Sequence, residues 1–328
     1  MLRTVLPKLS RIQAPVREDL ERVLDELRRI VLSDFRPVEE VNDYLLLARG
    51  KLFRPTLCLL SNRVGDKPDE RAATMAAVVE LTHLATLVHD DSVDHSVLRR
   101  GMPTVNALWN HQTAVIMGDY LYSRSISELA RFGRVELIQV LAKAANEMSV
   151  GELRQLTSCD ALDFGEDDYF RLIASKTASL MSAACEMGAM IGDEQYREPL
   201  SRYGYQLGMA FQIADDLLDY EVDEETMGKP SGQDLREHKV TLPLIHALEH
   251  ASAADRARIE RFFADPEPTD DAIAEIVELV GGSGGLDYAR QRANEFAERA
   301  AAELVALPEG ESTESLREAV AYVVGRNR

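Results

Sequence analysis

The residues best placed to do chemistry are two groups of aspartates with one spacing. The first reads Asp90-Asp91-Ser92-Val93-Asp94 and the second Asp215-Asp216-Leu217-Leu218-Asp219. On an α-helix, positions i and i+4 share a face, so Asp90 projects with Asp94 and Asp215 with Asp219. Like charges on one turn repel each other, and the cost grows beside apolar side chains. A divalent cation removes that cost. Carboxylate oxygens suit Mg²⁺, which keeps some of its waters and bridges to substrate phosphates. Two such groups therefore point to a metal-clamped diphosphate. The bland alternative is a solvated acidic face, since the chain holds 56 acidic residues. The flanks argue against it: Leu87-Val88-His89 precede the first group and Phe211-Gln212-Ile213-Ala214 the second.

Positioning these groups falls to helices. Apolar residues recur with the 3.6-residue period at Leu20, Val23, Leu24, Leu27, Ile30 and Val31. The same period predicts helices over 71–93, 104–132, 135–156, 167–191, 195–221, 242–250, 253–263, 269–280, 286–307 and 313–324. No strand-like alternation is evident. Lys67-Pro68, Gly101-Met102-Pro103, Gly192-Asp193, Gly228-Lys229-Pro230, Asp265-Pro266 and Gly281 to Gly285 punctuate the pattern. None of these breaks is long enough to separate domains. The expectation is one all-α domain over residues 1–328, a helical bundle around a central cavity.

Composition narrows the function. The net charge of −19 argues against nucleic acid as a partner, because a phosphate backbone attracts positive surface. No transmembrane segment and no secretory leader are expected. Cys58, Cys159 and Cys185 have no metal-ligand spacing and read as buried thiols in a reducing cytoplasm.

A diphosphate also needs fixed cations, and three groups offer them. Gly50-Lys51-Leu52-Phe53-Arg54-Pro55 places two around a turn, with Pro55 suited to a first helical turn. Arg99-Arg100-Gly101 follows Asp94. Lys229, Asp234 and Lys239 lie in one late loop.

With these motifs in this order, the chain resembles the trans-isoprenyl diphosphate synthases, the polyprenyl synthetase family. The resemblance rests on Leu87 to Gly101, on Leu207 to Asp219 and on Lys176-Thr177 between them, and it spans roughly residues 45–244. Two departures are small: Leu52-Phe53 stands where a further basic residue is common, and His238 where Gly is usual. The resemblance implies head-to-tail addition of isopentenyl diphosphate to an allylic diphosphate. It implies that Asp90, Asp94 and Asp215 hold Mg²⁺ directly, three ions per site, with Asp91, Asp216 and Asp219 supporting them. Arg99, Lys176 and Lys229 would grip the allylic diphosphate. Lys51, Arg54, His83 and Arg100, with the Gly50 backbone close by, would grip isopentenyl diphosphate, and Lys239 of the late loop would be a further substrate contact. Thr177 and Gln212 would face the allylic cation with their dipoles, and His89 and His95 would be structural. His83 lies two turns before Asp90 and so shares its face.

Product length has its own pattern. The family sets tunnel depth largely upstream of the first aspartate group, and Thr82, Ala85 and Thr86 are all small there. One helical turn of about 5.4 Å is close to one isoprene unit, so an unblocked tunnel implies roughly 30 to 50 carbons, as in octaprenyl-type synthases supplying quinone side chains. Trp109, Tyr120, Tyr122 and Phe132 are candidates for the floor. The alternatives are a short-chain synthase of farnesyl or geranylgeranyl type, a terpene cyclase, which would lack the second aspartate group, and a non-catalytic subunit, which would have eroded motifs. The family also implies a cytoplasmic homodimer through the apolar surface of 104–156, with a second subunit as the variant.

Overall fold

The computed structural model describes residues 7–47, 50–158, 161–221 and 232–325. Helices dominate them. In order these are α1 (Leu9–Ile12), α2 (Arg17–Ile30), α3 (Arg36–Leu47), α4 (Phe53–Asn62), α5 (Ala72–Val93), α6 (Val105–Leu108), α7 (His111–Ala130), α8 (Val135–Ser158), α9 (Glu166–Ile173), α10 (Ser179–Ile191) and α11 (Arg197–Glu221). After the undescribed stretch come α12 (Gln233–Arg236), α13 (Leu242–His250), α14 (Ala253–Phe263), α15 (Asp270–Gly282), α16 (Gly285–Glu303) and α17 (Glu311–Gly325). Two short strands, β1 (Leu98–Arg99) and β2 (Met102–Pro103), pair antiparallel as a small hairpin.

The two aspartate helices are built differently from the outer ones. Helix α2 buries one stripe, Leu20, Val23, Leu27 and Ile30, and turns its charges to solvent. Helix α5 is apolar around most of its circumference, and a helix of that kind belongs in the interior. It packs against α2, α4, α7 and α10. By length and composition α5 would suffice to cross a membrane, with a mean hydropathy of 1.3 over its best 18 residues. Here the same apolar surface forms the protein core, with Met75, Ala76, Val78, Val79 and Leu81 fully buried.

Helix α11 packs against α10 and α16. A Cβ on its Gly208 would lie 2.5 Å from Ala178 Cα, so only glycine lets α11 come this close. The neighbour is a π-helical turn, Ala174–Ala178, inserted between α9 and α10. That turn carries Lys176 and Thr177. Single π-turns inside α-helices recur at functional sites because the extra residue re-aims side chains.

Most predicted helices are present, with three differences. The 104–132 pattern is two helices, because Asn110 caps α7 by accepting the Thr113 N–H at 2.7 Å and breaks the run. The hairpin replaces part of an expected loop. Helix α3 was not foreseen, because only Val41 and Asn42 are buried along it. Cys58 and Cys185 are free and buried, and burial pushes the Cys185 thiol up to about 12. Cys159 lies outside the described residues.

Candidate active site

The C-terminal end of α5, the middle of α11, the π-turn, the end of α8 and the loop before α4 converge on one cavity of about 930 Å³. That is within the usual range of about 300–1,000 Å³ for ligand sites. Asp90, Asp94, Asp215, Asp216 and Asp219 line it, so both aspartate groups face one space. So do Gly50, Lys51, Arg54, His83, Arg99, Arg100, Lys176, Thr177, Gln212, Lys239 and Thr86. Lys229 falls outside the described residues. Asp91, Thr82 and Ala85 are buried away from the cavity.

Five of the six aspartates divide by their surroundings. Asp91 accepts from Arg99 Nε at 2.7 Å. Asp216 accepts from Tyr169 OH at 2.6 Å and Gln212 Nε2 at 2.7 Å, and Gln212 Oε1 in turn accepts from Thr177 at 2.7 Å. Asp219 accepts the backbone N–H groups of Gln233 and Asp234 at 3.1 and 2.9 Å. Asp90, by contrast, has only a distant cation, Lys176 Nζ at 3.9 Å. Burial, helped by Glu152 and Asp94 and opposed by Lys176, pushes its carboxyl up to about 7. Burial also raises Asp94, where Glu152 adds to the effect. Asp234 follows the same pattern, pushed up to about 7 by burial, with Lys239 opposing and Asp219 adding. Desolvated carboxylates held this way are a standing cost that a cation offsets.

The donor set fits a hard cation such as Mg²⁺. Among the described residues, no three acidic, histidine or cysteine side chains are already gathered tightly enough to hold an ion alone. Mg²⁺ rarely needs that, because it takes one or two carboxylates and completes its shell with water and substrate phosphate. Asp90 and Asp94 on one wall and Asp215 on the other can each supply oxygens while a diphosphate spans them.

The cations are held in reserve by other acids. Lys176 Nζ sits 2.6 Å from Glu152 and 2.8 Å from Gln155 Oε1. Lys239 lies 2.5 Å from Glu237 and 3.6 Å from Asp234; burial lowers its pKa, but attraction to those two acids wins and raises it. The sequence reading missed Glu80, Glu152, Gln155, Tyr169 and Glu237, all beside or lining the cavity. Glu80 alone left a signal, standing one turn before His83 on the same face.

His83 Nε2 lies 3.1 Å from Arg54 Nη1. Arginine can only donate, so Nε2 accepts and the ring proton sits on Nδ1. Burial lowers the His83 pKa far below its ordinary value, and Arg54, Arg100 and Arg99 lower it further. The unfolded chain binds a proton near pH 6.5 that the folded site refuses, so His83 makes stability fall as pH drops below about 6.5, by up to about 1.4 kcal/mol per unit. Denaturant unfolding at pH 5.5 and 7.5 checks this: His83→Gln lessens the acid loss relative to the unsubstituted protein. An equal loss in both would show that His83 is not held neutral.

His89 and His95 stay out of the cavity. His89 Nε2 contacts the Val115 carbonyl at 3.0 Å, in the space left by Gly118. His95 pairs with His111 at 3.4 Å. None of the suggested floor residues, Trp109, Tyr120, Tyr122 and Phe132, lines this cavity: Tyr120 bonds the Val31 carbonyl at 3.0 Å, Trp109 meets Tyr44 edge-on, and Phe132 stacks under Arg71 at the far end of α5.

Comparison with known proteins agrees with this geometry. The Polyprenyl synthetase family model matches residues 36–280. An all-trans-nonaprenyl-diphosphate synthase (geranyl-diphosphate specific) of Rhodobacter capsulatus is 39% identical over 307 residues, covering 93% of this chain and 94% of that one. A crystal structure of a decaprenyl diphosphate synthase from the same organism superposes with a TM-score of 0.92 at 37% identity, covering 98% of this chain and all of that one. A polyprenyl synthase from Caulobacter crescentus, crystallised with calcium and isoprenyl diphosphate, gives 0.91 at 33% identity and 98% coverage of both chains. With a family model spanning most of the chain and relatives matched end to end, the chain belongs to the polyprenyl synthetase family of prenyltransferases.

Proposed function

We propose that the protein is a long-chain polyprenyl diphosphate synthase, a single domain that adds isopentenyl diphosphate units head to tail to an allylic diphosphate. One observation carries this reading: both aspartate groups and the described basic groups face a single cavity that Leu87, Met148, Leu172 and Ile173 also line. The difficult step is breaking the allylic carbon–oxygen bond, because negative charge builds on the leaving diphosphate. Asp90, Asp94 and Asp215, supported by Asp219, would hold Mg²⁺, which when bound would neutralise that charge, and we take the number of ions to be three. Arg99, Lys176 and Lys239 add fixed positive charge, with Lys176 exchanging Glu152 for the diphosphate. The Thr177 hydroxyl donates its hydrogen bond to Gln212 Oε1, which leaves the hydroxyl oxygen's lone pairs to stabilise the allylic cation. Asp216 and Tyr169 hold that pair in place. The departing diphosphate takes the final proton, so no side-chain base is assigned. Lys51, Arg54, His83 and Arg100 form the site for isopentenyl diphosphate, where arginine forks match phosphate oxygens.

The long product rests on α5. Thr86 and Leu87 line the cavity together with Met148, Leu172 and Ile173, and α5 carries no Phe, Tyr or Trp. From Asp90 back to Ala72, eighteen residues of helix span about 27 Å, or about five turns. At one isoprene per turn this length takes about 25 carbons beyond the unit at the aspartates, the lower end of the proposed range of roughly 30 to 50 carbons. The nonaprenyl and decaprenyl names of its relatives support the longer part of that range. Incubating the purified protein with Mg²⁺, farnesyl diphosphate and labelled isopentenyl diphosphate, then weighing the product, tests this. Thirty carbons or more supports it, whereas a 20-carbon stop keeps the chemistry and refutes the length.

We further propose that the enzyme works in the cytoplasm as a homodimer. Ile116 and Leu153 are 63% and 64% exposed, and with Val115, Val150 and Leu156 they give α7 and α8 an apolar outer face, a signature of association. Leu153→Asp is expected to shift the sedimentation mass from dimer to monomer. A monomeric parent protein would instead direct the search to a second subunit.

A further inference from the structure

Three segments distant in sequence meet at one wall of the cavity. They are the Gly50–Arg54 turn, the Glu80 to His83 turn of α5 and the hairpin bearing Arg100. Their approach is close. A Cβ on Gly50 would lie 2.9 Å from Arg100 Nη1 and 3.5 Å from Glu80 Oε1. The guanidinium and the carboxylate therefore converge over a backbone that must stay bare. Arg100 holds this place with a left-handed φ of 52°, as does Leu52 at 51° beside Lys51. Two loops thus accept an uncommon backbone to bring their cations to one spot.

Glu80 is the acid between these cations. It attracts Arg54, which is enclosed by protein and repelled by Arg100. Both arginines in turn oppose the burial that raises the Glu80 pKa. Glu80 also lines an adjoining cleft of about 50 Å³, where leucines such as Leu24, Leu27 and Leu84 meet Gly50, His83 and Arg100.

A carboxylate in an anion site is paradoxical if it meets the anion, because it repels it. The paradox lifts if its role is to set the cations. We propose that Glu80 is a positioning residue that holds Arg54 and Arg100 at the separation isopentenyl diphosphate requires. This rests on the reading of that wall as the isopentenyl diphosphate site. Without Glu80, the Arg54 and Arg100 guanidiniums, which repel each other, push apart, and the forked contacts lose their alignment.

The sign of one kinetic constant decides the matter. Glu80→Gln, Glu80→Asp, Arg100→Gln and the Glu80→Gln/Arg100→Gln double variant are assayed as full chains with Mg²⁺. The Michaelis constants for isopentenyl and farnesyl diphosphate are measured separately, alongside thermal melting. The expected result is a rise of roughly 10- to 100-fold in the constant for isopentenyl diphosphate in Glu80→Gln, the scale of losing an orienting partner. The constant for farnesyl diphosphate and the melting temperature stay near those of the parent, Glu80→Asp recovers part of the loss, and the double variant is little worse than Arg100→Gln. A constant for isopentenyl diphosphate that stays put or falls in Glu80→Gln overturns the proposal, because Glu80 then only repels the substrate. A uniform loss across both constants with a lowered melting temperature also overturns it, in favour of a scaffold role. If Arg100→Gln itself leaves isopentenyl diphosphate unaffected, the site reading fails and the proposal goes with it.

Discussion

Asparagine at Asp90 or at Asp215 is expected to cut turnover by about a thousandfold or more, even at saturating Mg²⁺, the scale on which preorganised charge stabilisation is lost. These two carboxylates lie on opposite walls of one cavity, so each removes an anchor the other cannot replace. Asp91→Asn is expected to cost less, because the Asp91 carboxylate is committed to Arg99 rather than to the cavity. Steady-state turnover across a Mg²⁺ titration checks the order. Near-parent rates in Asp90→Asn would sink the metal assignment. The same substitution carries a second, opposite expectation in metal-free protein. Burial, Glu152 and Asp94 make the Asp90 charge costly. A neutral amide there removes that cost, so metal-free Asp90→Asn melts above the metal-free parent. Added Mg²⁺ with diphosphate reverses the ranking, as expected of a ligand that binds only the folded state. Strain kept for function is a common reason why active-site substitutions stabilise.

Thr86→Phe is expected to change the product rather than the rate, from at least 30 carbons to about 20 or fewer, because a ring one turn below Asp90 fills the space the growing chain enters. Thr86 lines the cavity and Ala85 does not, with Ala85 only 3% exposed. Ala85→Phe therefore meets packed core first and loses roughly 1–3 kcal/mol by overpacking. Mass analysis of products from both variants, paired with their melting temperatures, separates blocking from distortion. An unchanged product from Thr86→Phe would show that the chain leaves by another route.

The aspartate groups were legible because a five-residue spacing maps directly onto a helical face and because apolar flanks mark the interior. The bundle was legible for a related reason, since α2, α8 and α11 keep their apolar period over several turns. What stayed hidden depends on contacts between distant segments. Glu152 is one acid on a mixed face of α8, and nothing local says that it reaches Lys176, 24 residues on. Tyr169 is an ordinary buried aromatic until Asp216 is seen within 2.6 Å of it. Thr82 and Ala85 illustrate the reverse: small size suggested an open path, yet small residues also permit the tight packing of α5 that buries them.

The π-turn at Ala174–Ala178 has one more consequence. Residues 166–191 form a continuous helical rod whose register slips by a single position in the middle. A chain lacking any one residue of that turn could close the rod into an unbroken α-helix with better hydrogen bonding. Everything on one side would then swing by about 100° relative to the other. Lys176 and Thr177 could not both keep their aim while α9 kept Tyr169 on Asp216. The shortened protein would be sturdier in this segment and useless as a catalyst. Insertions and deletions are therefore excluded from a stretch where many point substitutions would be absorbed, and the length of this segment is as much a functional property as its composition.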